Sequence, residues 1–495
     1  MNRFVLGSLL ALLVSFAGSA QTTSSYCGTP PGKSEWLQQY QQQLTPVAAR
    51  SNDFLYIPLT IHIVGTSEGE GYYGLDQLYP SLCTLNEDFA DSDIQFYING
   101  EINYIDNDDY YEHNFSQGSQ MMHIYNKPNT VNCYFVDSPA GNCGYYSPWR
   151  DAVAISNGCA APDSHTWAHE LGHFFSLPHT FSGWEGTDYE ANMEVPFFLD
   201  NGGEVELKDG SNCAEAGDGF CDTPADYLSF RWGCNGEGQS NVLQRDPTDS
   251  TFRSDGTFIM SYARDGCSER FSEEQIMAMR ANILSQRPNL YANPPEPVWL
   301  DAPPVAIAPI NGDSIGASAS AVLEWEPLDG AALYTVVISR HFPGVEVLLQ
   351  AQYFQTTATS VLVDGLQPSG SYRWTVKAYN RYDGCALASE PAIFSLADPV
   401  FTNTAEAAEA FQLKVYPQPA ADGGPITVEW HLAEAETVQL WLRSAAGQSI
   451  RQQRLPGLAG RQRAQLGTAG LSAGLYLLEI RTSSGLRAYR KVVVQ

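Results

Sequence analysis

The chain has 495 residues, too long for one ordinary domain and long enough for two to four. Its formal charge of -29, from 56 acidic against 27 basic residues, repels nucleic acid and anionic membranes, and no basic patch offsets it. Such a balance excludes nucleic acid as a partner and suits an extracellular protein or one that binds divalent cations.

The first segment, MNRFVLGSLLALLVSFAGSA at 1–20, has an early basic residue, an apolar run and small residues at its end, and reads as a secretory signal. No later run of eighteen apolar residues follows, so no transmembrane segment is expected. The ten cysteines of an exported chain favour disulfides over thiols. Residues 21–52 are polar, lack strand alternation and read as a pro-segment.

From 53 to 290 the pattern is mixed. PLTIHIV at 58–64 alternates as a strand, and Leu75, Leu78, Leu82, Leu85 and Phe89 recur at helical spacing. DIQFYI at 93–98 is the next strand, with MHIYN, NCYFV and DAVAISNG as further strand candidates. HELGHFFSLPH at 169–179 follows. On a helix His169 and His173 lie one turn apart on one face, so both imidazoles reach one ion. Glu170 stands beside the first ligand, placed to take a proton from metal-bound water. An unbroken helix would turn His179 off that face, but Leu177-Pro178 breaks it and lets His179 swing back to the metal. Three neutral histidines leave a fourth position open, as in a catalytic zinc site. At 217–227, GDGFCDTPADY offers Asp218, Asp222, Asp226 and Thr223 as hard oxygen donors suited to calcium, though Asx-turns would explain the same aspartates. GTFIMSYARDGC at 256–267 places Met260 in an apolar run with Tyr262 two residues on.

Prolines in NLYANPPEPVWLDAPPVAIAP at 289–309 mark a linker, and beyond it the period is two. AVLEWEP, LYTVVISR and SVLVDGLQPSGSYRWTVKAYN are short antiparallel strands of one sandwich-like domain, read as a spacer or binding module. Residues 411–495, from FQLKVYPQPA to KVVVQ, form a second small β domain.

HELGHFFSLPH resembles the long zinc motif of the metzincin metallopeptidases, and TWAHELGHFFSLPHTFSG resembles its pappalysin branch. The departure is Ser176, where that family has glycine; a serine held at positive φ there would cost about 1 kcal/mol. The resemblance implies an α/β catalytic domain over 53–290, with a twisted sheet, active-site and backing helices and an irregular lower subdomain, followed by two all-β sandwich-like domains. It implies a secreted zinc endopeptidase acting on protein or peptide substrates. His169, His173 and His179 would hold zinc, Glu170 would be the general base, Tyr262 would bind the oxyanion and Met260 would form the base beneath the metal. It also implies calcium at Asp218, Asp222 and Thr223, and disulfides joining Cys213 to Cys234 and Cys221 to Cys267. An acidic floor just before Cys267 would favour a basic residue after the cut; Asp265 carries such a charge and Gly266 does not, and both placements stay open.

YCGTP at 26–30 resembles the cysteine switch of some metzincins, with the Cys27 thiolate as latency ligand to zinc and the full chain a zymogen. A disulfide at Cys27 is the other reading. Trp325 and LQPSGSYRWTVKAYN resemble a fibronectin type III module over about 305–397. VYPQPA, GLYLLEI and KVVVQ resemble the C-terminal sorting domain of the type IX secretion system, whose machinery would be a partner. The protein would then be secreted or at the cell surface, after outer-membrane translocation and removal of that domain. The alternative function is a surface adhesion protein with a degenerate metallopeptidase domain.

Overall fold

A computed structural model describes residues 26–42, 54–396 and 411–495, apart from 293, 316–319, 346, 368–369, 422, 445–447 and 484–486. The signal at 1–20 and the rest of the expected pro-segment lie outside the described residues. No helix among the described residues is long and apolar enough to cross a membrane.

The first helix among the described residues is the short α1 (Glu35–Gln41), capped by Ser34, whose hydroxyl accepts the Leu37 N–H at 3.1 Å. Strand β1 (Leu55–Gly65), helix α2 (Leu75–Asp88), strands β2 (Ile94–Ile98) and β3 (Asn103–Asp106), helix α3 (Phe115–Tyr125) and strands β4 (Val131–Val136), β5 (Gly144–Ser147) and β6 (Ala152–Ser156) follow. The strands make one sheet in the order β2-β1-β4-β6-β5, with β3 pairing the far half of β1. All pairs are parallel except β5 on β6, so β5 is an antiparallel edge. Strands β1 and β4 are buried on both faces; β4 reads as a near-continuous apolar run, whereas β1 alternates because Thr60 and His62 on its second face are hydrogen-bonded to Thr130 and Asn132.

One face of β1, through Ile57, Leu59, Ile61 and Ile63, packs with Leu78, Leu82 and Leu85 of α2 and with Trp167, Leu171 and Phe174 of helix α4 (Thr166–Phe174). The other face packs Val64, Tyr134 and Val136 against Met121 and Met122 of α3. The MHIYN stretch, expected as a strand, is therefore the last turn of α3 and its cap residue. Asn114 and Gln117 form a capping box that starts that helix, and the paired methionines give it an apolar face to bury.

Beyond α4 the chain is mostly irregular until helix α5 (Glu273–Gln286), started by a Ser272–Gln275 capping box. Two disulfides staple this region, and they correct the expected pairing: Cys213 bonds Cys221, and Cys234 bonds Cys267. Contact geometry explains the exchange. Turns through 210–216 bring Cys213 back beside Cys221, with Cα atoms 5.1 Å apart. Backbone bonds of Trp232 to Tyr262 and of Arg264 to Trp232 lay the Cys234 segment along the Cys267 segment. A third disulfide joins Cys143 to Cys159.

Strands β7 (Ala306–Ala308), β8 (Ser320–Trp325), β9 (Leu333–Arg340), β10 (Leu349–Thr356), β11 (Ser360–Asp364), β12 (Ser371–Tyr379) and β13 (Ala392–Leu396) form sheets ordered β7-β8-β11 and β13-β12-β9-β10. Alternating inward residues, Trp325 and Trp374 among them, fill the sandwich. This module is bolted to the α/β domain rather than spaced from it. Cys83 of α2 is disulfide-bonded to Cys385, Ile98 N–H donates to Arg381 C=O at 2.9 Å, and Tyr79 stacks on Tyr379 with centroids 4.9 Å apart.

The last unit contains β14 (Lys414–Tyr416), β15 (Ile426–Leu432), β16 (Thr437–Ser444), β17 (Ser449–Pro456), β18 (Gly460–Leu466), β19 (Gly474–Thr482) and β20 (Arg487–Val494). Its sheets run β14-β15-β18 and β17-β16-β19-β20 around a core of its own that includes Val428, Trp430, Leu440, Leu478 and Val492. The architecture is thus a mixed α/β domain followed by β sandwiches.

Candidate metal centre

Helix α4 carries His169, Glu170 and His173, all buried, out of the apolar core to the rim of the sheet beside β5. The helix ends after Phe174, and Ser176 takes φ of +77°, the conformation that favours glycine. The strain is held by neighbours: Asn282 Nδ2 donates to Ser176 Oγ at 2.9 Å, and Leu177 N–H reaches back to Gly172 C=O at 2.9 Å. That turn delivers His179, whose Nε2 lies 3.1 Å from His173 Nε2.

Each imidazole is oriented through its other nitrogen. His169 Nδ1 bonds Ile259 C=O at 2.7 Å, His173 Nδ1 bonds Leu177 C=O at 2.8 Å, and His179 Nδ1 meets Glu185 Oε1 at 3.1 Å. Such partners fix the tautomer, leaving all three Nε2 lone pairs turned to one point. Burial, then the neighbouring imidazoles, hold His169 and His173 well below the ordinary histidine value, so both stand neutral. His169 Nε2 is buried with no hydrogen-bond partner.

Cys27 completes the group. Its Sγ lies 3.5 Å from His173 Nε2, and ligand atoms of Cys27, His169, His173 and His179 all fall within 4.8 Å of one another. A tetrahedral zinc ion spaces two imidazole nitrogens ~3.3 Å apart and a nitrogen and a thiolate ~3.6 Å apart. The donors therefore fit zinc in chemistry, and the His173–His179 and Cys27–His173 separations fit it in spacing. Cys27 is in none of the four disulfides.

Glu170 Oε2 lies 3.6 Å from Cys27 Sγ and accepts from Thr29 Oγ1 at 2.9 Å, while Oε1 has no hydrogen-bond partner. Burial lifts its carboxyl to about 8, against the opposing bonds from Cys27 and Thr29. Gly144 in β5 leaves room for it: a Cβ there would stand 2.8 Å from Glu170 Cγ. Gly172 does the same for Met260, whose Sδ an added Cβ would strike, so the methionine fills the space under helix α4.

Tyr262 packs edge-on to His179, centroids 4.9 Å apart, and its hydroxyl donates to Cys27 C=O at 3.2 Å. The segment around Cys27 lies along β5, with Gly28 N–H donating to Gly144 C=O at 2.9 Å and Cys143 N–H to Tyr26 C=O at 3.1 Å. It runs parallel to the strand.

The acidic segment divides. Asp218 Oδ1 accepts from Phe220 N–H at 3.0 Å and Thr223 Oγ1 at 2.8 Å, and its buried Oδ2 has no hydrogen-bond partner. Asp222 accepts Glu274 N–H at 2.8 Å at the start of α5, and its charge still acts on Asp218. Glu206, buried beside Gly217, and Lys33 both face Asp218 electrostatically. Sequence reasoning missed Glu206, Glu185 and Thr29, because no motif spacing links them to the residues they touch.

Residues 414–495 match the secretion system C-terminal sorting domain. An extracellular metalloprotease of Podospora anserina is 25% identical over 328 residues, covering 56% of this chain and 98% of that one. A second, from Pyricularia oryzae, is 28% identical over 208 residues, covering 35% of this chain and 71% of the other. Among solved structures, the fibronectin(III)-like modules of Clostridium thermocellum CbhA match at 12% identity and a TM-score of 0.15, covering 39% of this chain and 92% of that chain. The chain is a distant relative of extracellular metalloproteases. Its sorting domain sends it by the type IX route across the outer membrane, to be secreted or held at the surface with that domain removed.

Proposed function

We propose that the protein is a secreted zinc-dependent endopeptidase of the pappalysin branch of the metzincins, exported as a zymogen in which Cys27 occupies the catalytic position. The observation that carries this reading is the convergence of three oriented imidazoles and one thiol, their ligand atoms within 4.8 Å of one another, with the Glu170 carboxyl 3.6 Å from that thiol. Where the thiol now stands, a water would stand in the processed enzyme.

Zinc, when bound, polarises a carbonyl and lowers the pKa of water. Glu170, adjacent to that position, would be ionised by the charge of a bound cation against the lift from burial, and then takes the proton and later returns it to the leaving amine. Tyr262 already donates to a backbone carbonyl beside the centre, and the same hydroxyl serves the oxyanion of a substrate. Edge strand β5 holds an extended chain by main-chain hydrogen bonds, the mode by which a peptide is bound regardless of its side chains. Met260 supports the helix from below and takes no part in the chemistry. Calcium at Asp218, Asp222 and Thr223 belongs to the same proposal, supported by the unpartnered buried Oδ2 of Asp218. Equilibrium dialysis with labelled calcium checks it.

The test compares casein digestion by the processed protein and by its Glu170→Gln variant, with zinc measured in both. The variant is expected to keep stoichiometric zinc and to lose activity by at least about 100-fold, the range for a general base. Near-normal activity in that variant, or none in the zinc-loaded processed protein, overturns the reading. For latency, full-length Cys27→Ala is expected to be active or to cut itself without a processing protease. Finding Cys27 in a disulfide, with the Ala variant still silent, overturns the switch.

A further inference from the structure

Tyr26, next to the thiol, is buried in a pocket beside the zinc helix. Its ring stands edge-on to His169 and to Tyr262, with centroids 5.3 Å away in each case. Thr166 Oγ1 donates to its hydroxyl at 3.3 Å. The remaining wall is Arg231, whose guanidinium carbon lies 3.8 Å from the ring centroid. Arg231 is itself fixed: Nη2 pairs with Asp265 Oδ2 at 3.0 Å, and Nη1 donates to Ala263 C=O. The other Asp265 oxygen accepts His165 N–H at 3.2 Å.

We propose that the pocket filled by Tyr26 is the primary specificity pocket of the processed enzyme, and that it selects an aromatic residue, Phe or Tyr, immediately after the scissile bond, with Arg231 as the specificity-determining residue. This rests on the peptidase reading above. Two edge-on rings and a guanidinium face form a site for a flat π system. A lysine or arginine entering would bring a second cation against Arg231, and both Asp265 oxygens that could answer it are engaged. A carboxylate entering would meet Arg231 together with its resident counter-ion. An uncharged ring meets neither cost and, unlike an aliphatic chain, gains the guanidinium face of Arg231.

Chain direction places the residue relative to the cut. Tyr26–Gly28 runs parallel to β5, and Tyr26 precedes the residue at the metal. Antiparallel pairing is the more stable ladder per residue, and a substrate that pairs so with β5 crosses the same centre in the opposite sense. Its residue on the Thr166–Asp265 side is then the one that follows the cut.

The experiment uses the zinc-loaded protein after proteolytic removal of the segment through Ser51. Peptides identical except for Phe, Tyr, Leu, Glu or Arg after a mapped cleavage bond are compared by kcat/KM, and cleavage sites in a denatured protein are read by mass spectrometry. Phe and Tyr are expected to exceed Arg by at least about 10-fold, and Arg231→Gln to lower that ratio by about 3- to 10-fold as the ring loses its cation and Asp265 is released. Preference for Arg or Lys, aromatic residues enriched before the cut, or a ratio unmoved in Arg231→Gln overturns the pocket assignment while leaving a working peptidase. Absence of cleavage at any sequence overturns the peptidase reading itself.

Discussion

Ser176 gives the sharpest test of how the third histidine is delivered. At φ +77° a residue with a Cβ pays about 1 kcal/mol that glycine does not. Its hydroxyl returns part of that by accepting from Asn282 Nδ2 at 2.9 Å, a bond worth about 0.5–1.5 kcal/mol. Ser176→Gly removes both effects, so its stability should fall within about 1 kcal/mol of the parent. Ser176→Ala keeps the strain and loses the bond, and should be destabilised by about 0.5–1.5 kcal/mol. The Gly and Ala variants both lack the hydroxyl, so the difference between them isolates the backbone term. That difference should be about 1 kcal/mol in favour of glycine, or about 2–4 °C in the midpoint for a domain of this size. Ser176→Val adds β-branching in the left-handed region and should cost about 2–4 kcal/mol. Because the same turn aims His179, the valine variant should also hold zinc less tightly. Scanning calorimetry and elemental analysis supply both readings. Equal midpoints for Gly and Ala would refute the claim that the backbone at 176 stores strain.

Gly144→Ala places a methyl against Glu170 and, at 3.2 Å, against Ala154 C=O, so caseinolytic activity of the processed protein should drop by 10-fold or more, about 1.4 kcal/mol, while zinc content stays unchanged; full activity would show that Glu170 has slack. Replacing Cys83 and Cys385 with serine should destabilise the joint between the α/β domain and the first sandwich by about 2–5 kcal/mol, seen as a lower calorimetric midpoint and earlier nicking by a test protease near 289–305. Burial pushes the Asp246 carboxyl up, but bonds from Thr248, Lys208 and Ser250 outweigh it and hold it below its ordinary value. A depressed carboxyl contributes stability above its unfolded value and loses it as pH falls through the folded one. Asp246→Asn should therefore cost about 1–3 kcal/mol at pH 7, a gap that closes in acid; a gap independent of pH in denaturant titrations would contradict this.

Much of the candidate site was legible because it is local. The four-residue spacing of His169 and His173 needs only a helix, Glu170 follows from its place beside the first ligand, and Leu177-Pro178 announces the break that returns His179. Alternation marked both sandwiches, since a strand with one buried face writes period two into the chain. MHIYN misled because five residues with apolar members do not separate a strand from the end of a helix, and the capping box that decides the matter lies upstream at Asn114. Disulfide pairing was not legible at all: four cysteines allow three pairings, and only the turns around 210–216 and the Trp232–Tyr262 bonds bring the right sulfurs together. The same holds for Asp265. Whether an aspartate forms an acidic floor or the counter-ion of an arginine depends on a residue 34 positions away in sequence and 3.0 Å away in space. Local periodicity and backbone restriction determine elements and ligand spacing; charge neutralisation and pocket shape depend on contacts that exist only once the chain has folded.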